Sequence, residues 1–204
     1  MKSTIYNLYT ALKSKRVLVM LLCLVHMFSL SAQTPRQDSG AEGAATVEPI
    51  LVGNKLPQDF WSHKVKIYNQ GDTALVELSK YKGKSFILDF WSTTCGNCIA
   101  AFPNLLPLQK QFADELNILL VNSYGKKDTY QRIHGMPDDV LRLNNLTSIY
   151  ADDYLIKLFP HEVYPFYVWV DANERVAAIT LKRSVIPEHV YSFLRNYNRY
   201  DKAN

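Results

Sequence analysis

Residues 85 to 123 constrain this chain more than any other part of it. "SFILDFW" (Ser85 to Trp91) is a continuous apolar run interrupted by one acid, Asp89. A half-exposed strand would alternate, so an unbroken run reads as a strand covered on both faces. The following "NCIAAFPNLLPLQKQFADEL" has apolar residues at 98, 99, 102, 105, 106, 108, 112 and 116, close to helical spacing. "NILLVNS" (Asn117 to Ser123) is then a second buried strand. Strand, helix and strand within about 40 residues form a βαβ unit, with parallel strands and a right-handed crossover.

The flanking segments complete a sheet around that unit. After a short entry segment (Val52 to Phe60), "KVKIYNQGDTALVEL" reads as a hairpin turned by Asn69, Gly71 and Asp72. Gly135 and Pro137 interrupt two weak helical patterns between 125 and 150, and "LTSIYA" (Leu146 to Ala151) is a short strand. "DDYLIKLF" is helical, "PFYVWVD" and "RVAAITL" are strands joined through "ANE", and "IPEHVYSFLRNYNRY" is a closing helix with Pro187 near its start. The expected class is α/β: a central mixed β-sheet flanked by helices, extended by an N-terminal hairpin. Two cysteines, Cys95 and Cys98, follow the first parallel strand, where open α/β sheets gather their chemistry.

Charge places the N-terminus apart from the rest. Lys2, Lys13, Lys15 and Arg16 are unopposed by any acid in the first 32 residues. Taking those four from the 23 basic residues leaves as many as the 19 acidic ones, so the formal charge of +4 resides in this segment. No basic or aromatic-basic stripe remains, which argues against nucleic-acid binding. The basic segment precedes "VLVMLLCLVHMFSL" and "SAQ", the layout of a secretory signal peptide over 1–32 with cleavage near Ser31 or Ala32. The apolar run is shorter than the ~20 residues that span a bilayer. Leu22, directly before Cys23, does not match the small residue of a lipoprotein signal. An uncleaved signal or a lipid on Cys23 are thus the two lesser routes to membrane attachment. Gln33 to Pro49 is small, polar and aperiodic, a flexible linker. Residues 50–204 make the folded domain.

Cleavage removes Cys23 and leaves only Cys95 and Cys98. A disulfide closing so short a ring stabilises little, so a structural staple is a poor reading. Two thiolates are half of a tetrahedral zinc site, and His63, His134, His161 and His189 are scattered along the chain. Neither a metal nor a separate cofactor is expected. Cys95 at a helix start would have its thiolate favoured by free N–H groups, and Cys98 falls on the same helical face. The acid Asp89 lies in an apolar strand at a desolvation cost, which marks it as a site candidate. The competing reading is an aspartate hydrogen-bonded to a neighbouring loop.

"LSKYKGKSFILDFWSTTCGNC", with Pro103 five residues on and "VGNKLPQDF" before it, resembles the active-site region of exported thioredoxin-like thiol–disulfide oxidoreductases of the TlpA/ResA type. The similarity extends over roughly residues 50 to 199 and is weakest at 125 to 145. It implies a thioredoxin-like fold, with Cys95 as nucleophile and Cys98 as resolving thiol. Asp89 would exchange a proton with the resolving thiol, and Tyr164-Pro165 would be the cis-proline step that presents backbone to a partner. Trp91 matches the aromatic after the acid, and Thr94 stands where a tryptophan is frequent. Ala101 replaces a frequent glutamate, and Tyr164 is bulkier than the usual residue before that proline. His161, near Pro165, reads as a solvated loop histidine and stays outside the site.

The implied activity is reduction of protein disulfides in the periplasm or cell envelope of a bacterium, with electrons from a membrane donor. The Gly96-Asn97 dipeptide between the cysteines has neither the proline of a Gly-Pro nor the histidine of a Pro-His pair, which favours the reductase direction mildly. Two alternatives stand: a non-catalytic thioredoxin-scaffold binding module of an envelope assembly, and a thiol peroxidase.

Overall fold

The computed structural model describes residues 47–123, 127–136 and 140–197. The expected signal segment and all of the linker before residue 47 lie outside these residues, as does the chain after residue 197. Strands β1 (Lys64–Asn69) and β2 (Asp72–Glu77) form the expected hairpin. Its turn is centred on Gln70 and Gly71, both at positive φ (56° and 96°), the backbone that a two-residue hairpin loop requires.

β3 (Ser85–Trp91) is buried at every position, as its apolar run dictates. The crossover is not one helix from Cys95 onward. A single turn, α1 (Gly96–Ile99), is separated by Ala100 and Ala101 from α2 (Phe102–Gln111). Pro103 explains the break: it has no N–H to give, and its ring would collide with the carbonyl of Ile99 in a continuous helix. β4 (Leu116–Asn122) then pairs with β3 in parallel.

The interrupted middle region forms two short helices, α3 (Tyr130–His134) and α4 (Val140–Leu143), and then β5 (Thr147–Tyr150), parallel to β4. α5 (Asp153–Leu158) is capped by the carboxylate of Asp152, which accepts from the Leu155 N–H at 2.8 Å. β6 (Phe166–Val170) and β7 (Val176–Leu181) are an antiparallel hairpin, and α6 (Pro187–Tyr197) starts on its proline.

Among the described residues the sheet has seven strands in the order β2-β1-β5-β4-β3-β6-β7. The N-terminal hairpin is part of this sheet because β1 pairs antiparallel with β5. β3 is central, between parallel β4 and antiparallel β6, and its pleat divides the core. Phe86, Leu88 and Phe90 face one cluster with Val168 and Val170; Ile87 and Trp91 face the other, with Cys98, Phe102, Leu105 and Phe193. Asp89 has the parity of Ile87 and Trp91, so its carboxyl is directed into the face that holds Cys98. No helix among the described residues is long and apolar enough to cross a membrane.

Candidate active site

Cys95 and Cys98 are joined as a disulfide, S–S 2.01 Å and Cα–Cα 5.3 Å, just beyond the C-terminal end of β3. The two sulfurs differ in access. Cys95 is half-buried beside exposed Thr94, Gly96 and Asn97, whereas Cys98 is 1% exposed and packs in the core. Cys95 is the cap of α1, and its Sγ accepts the N–H of Cys98 at 3.1 Å. With only one turn of helix behind it, the sulfur gains from that local N–H more than from a macrodipole. No group of three or more His, Cys, Asp or Glu that could hold a metal ion occurs among the described residues.

Asp89 is 1% exposed, and its Oδ1 has no hydrogen-bond partner, so the loop-bonded reading does not account for that oxygen. Burial raises its pKa well above the ordinary carboxylate value. On β3 it is flanked by Leu120 of β4 and Tyr167 of β6. Tyr167 also lines a cleft of about 270 Å³ with Ala101, Asn104 and Arg183. The small side chain of Ala101 thus borders a cavity that reaches the tyrosine opposite Asp89.

The Tyr164-Pro165 bond is cis, and Pro165 is buried at the start of β6. Half-buried Tyr164 packs on the same cluster as Cys95 and Cys98. Its hydroxyl lies 3.3 Å from both the Oγ and the carbonyl oxygen of Ser123, the residue that follows β4. Trp91 is fully buried, donates through Nε1 to Ser148 Oγ at 2.8 Å, and meets Phe102 edge-on. It underlies the site without reaching its surface. Exposed Thr94 sits 3.2 Å from Ser92 Oγ through its own hydroxyl oxygen.

His161 corrects the sequence expectation, because it is not a solvated loop residue. Its ring stacks on Phe166 (centroids 4.6 Å, 11° apart), leans on Phe90 at 4.6 Å, and meets Tyr164 edge-on at 5.3 Å. Nδ1 faces the Phe159 carbonyl at 2.7 Å and must donate to it, so in the neutral ring Nε2 accepts from Ser123 Oγ at 2.8 Å. Burial lowers its pKa, an effect the Phe159 carbonyl partly opposes. Tyr164 and Phe166 are three and five residues away in the same stretch, but Phe90 and Ser123 come from β3 and the end of β4 and meet the ring only through the fold.

A second group was also missed. Asp128, whose side chain is wholly buried, grips the loop before Cys95: Oδ2 accepts from the Thr93 N–H (2.7 Å) and from Asn122 Nδ2 (2.9 Å), and Oδ1 accepts from Thr93 Oγ1 (2.5 Å). Arg132 on α3 lies 3.3 Å from Oδ1 and donates through Nε to Thr93 Oγ1 at 2.9 Å. The spacing of Asp128 and Arg132, four apart at a helix start, was the available signal.

No protein-family model matches the chain. Over 61 residues, 30% of its length, the chain is 33% identical to Thioredoxin-like protein YneN of Bacillus subtilis (strain 168), and the match spans 36% of that protein. Among solved structures, a DsbF homologue from Corynebacterium diphtheriae is 18% identical, with a TM-score of 0.53 over 77% of this chain and 96% of that one. The pneumococcal exposed lipoprotein thioredoxin Etrx1 from Streptococcus pneumoniae strain TIGR4 is 21% identical, with a TM-score of 0.51 over 66% and 99%. The fold is thioredoxin-like. A Cys-x-x-Cys pair at disulfide distance on this fold fits the TlpA/ResA-type resemblance of the sequence.

Proposed function

We propose that this protein is an exported thiol–disulfide oxidoreductase that reduces disulfides of other exported proteins. The observation that carries the reading is the unequal pair: Cys95 half-buried at the rim, Cys98 enclosed behind it, 2.01 Å apart in sulfur–sulfur distance. A partner disulfide can meet the first sulfur but not the second. In the reduced protein the Cys95 thiolate attacks the partner's disulfide, forming a mixed disulfide and releasing one partner thiolate. Cys98 then gives its proton to Asp89 and attacks Cys95. That step closes the 95–98 disulfide and releases the second partner thiol. Two electrons pass to the partner, and a membrane donor restores the dithiol.

Asp89 is suited to its part because burial raises its pKa well above the ordinary carboxylate value, which makes it a stronger proton acceptor than an exposed acid. The cleft bordered by Ala101 stops at Tyr167, the cross-strand neighbour of Asp89. Tyr164 and Thr94 form the surface on which a partner lies, buried Pro165 sets the backbone there, and Trp91 supports it from beneath. The signal peptide (1–32) and linker (33–49) would deliver the domain of residues 50–204 to the periplasm or cell envelope. Insulin reduction by wild type and Cys95→Ser tests the reading: activity in the wild type alone is expected. Inactivity in both would favour a binding module.

A further inference from the structure

Arg132 is held in an unusual way for a surface cation. Its Nε is committed inward, 2.9 Å from Thr93 Oγ1 and 3.3 Å from Asp128 Oδ1, while half of the side chain is exposed. Asp128 itself is spent: its oxygens face Thr93, Asn122 and Arg132, and none of its side chain reaches solvent. Among the described residues the outer guanidinium nitrogens of Arg132 meet no acceptor. A fixed fork of donors therefore points outward from Thr93, two residues before the accessible sulfur of Cys95. The support reaches further back: Tyr130, on the same short helix, donates to the Gly71 carbonyl at 2.7 Å, so the hairpin turn braces α3.

We propose that Arg132 is a specificity-determining residue, taking a carboxylate that lies beside the target cysteine of the partner protein. Planar guanidinium groups match carboxylates in a two-point contact, and anchoring Nε in advance removes part of the ordering cost of that contact. The body of the chain has balanced charge, so a preference for acidic partners would come from this local fork rather than from a general field. The inference rests on the reading that Cys95 attacks partner disulfides.

The test uses the reduced full-length protein in single turnover with glutathione-capped peptides that differ only in Glu, Gln or Lys beside the cysteine. In each reaction the protein dithiol becomes the 95–98 disulfide while the peptide–glutathione disulfide becomes two thiols. The Glu peptide should react roughly three- to fivefold faster than the Lys peptide, the range of an exposed ion pair. Added salt should shrink that difference. Arg132→Gln should bring the ratio of Glu-peptide to Lys-peptide rates to about one, and Arg132→Lys should restore part of the preference. Equal wild-type rates for all three peptides would overturn the proposal and leave the redox reading standing. So would an Arg132→Gln variant that slows every peptide alike, since that is a loop-positioning effect only. No reaction with any peptide would instead overturn the redox reading itself.

Discussion

Asp89 and Tyr167 stand directly opposite each other on β3 and β6, on the sheet face that also carries Cys98. The carboxyl of Asp89 is sealed there with one oxygen unpartnered. Its raised pKa has a definite consequence for stability. The folded protein binds this proton more tightly than the unfolded chain does. The stabilisation is therefore full below the ordinary carboxylate value and is lost as pH rises through the folded value. Asp89→Asn should accordingly match wild type in urea unfolding at acid pH and exceed it at pH 8. The same variant should slow release of the partner from the mixed disulfide by on the order of a hundredfold at neutral pH.

The unequal access of the sulfurs predicts unequal cysteine variants. Cys98→Ser retains the attacking thiolate and lacks the resolving one, so it should accumulate mixed disulfides with partner proteins. Cys95→Ser should form none, because Cys98 is 1% exposed. Non-reducing electrophoresis of the two variants after exposure to oxidised partner protein reads this directly.

His161 offers a test of the aromatic enclosure. Its pKa is lowered by burial, so the folded state prefers the neutral ring; stability is full above the ordinary histidine value and falls as pH drops through the folded one. His161→Phe keeps the stack on Phe166 and loses the bonds to Ser123 and Phe159. It should be less stable than wild type at pH 7.5 by about 1–2 kcal/mol. The gap should narrow below pH 6, measured by urea unfolding at each pH.

Asp128 should matter to folding as much as to the redox loop. Asp128→Ala strands the Thr93 N–H and the Asn122 amide inside the protein and should cost about 2–3 kcal/mol. Asp128→Asn should recover little, because an amide nitrogen would face a donor wherever it is placed. Thermal or urea unfolding of the two variants distinguishes this from an exposed, dispensable acid.

What the sequence disclosed and what it concealed follow one physical division. β3 and β4 were legible because a strand buried on both faces must be apolar throughout, and the cysteine pair announces itself by spacing. The division of the crossover helix was written in Pro103, yet helical periodicity continues across it, so the pattern alone gave one helix. The enclosure of His161 was hidden because Phe90 and Ser123 reach it from other strands, although Tyr164 and Phe166 are its near neighbours in sequence. Asp128 and Arg132 were hidden for the same reason: their partner, Thr93, is about 35 residues earlier and meets them only through the fold.

The central claim is that Cys95 and Cys98 form a working reductant for protein disulfides. The most direct measurement is the reduction potential of the couple, from equilibration of the protein with graded dithiothreitol or glutathione buffers. The account expects one reversible two-electron transition closer to the roughly −270 mV of thioredoxin than to the −120 mV of DsbA. A potential near that of DsbA would contradict the reductase assignment, and the lack of any reversible transition would contradict the redox reading altogether.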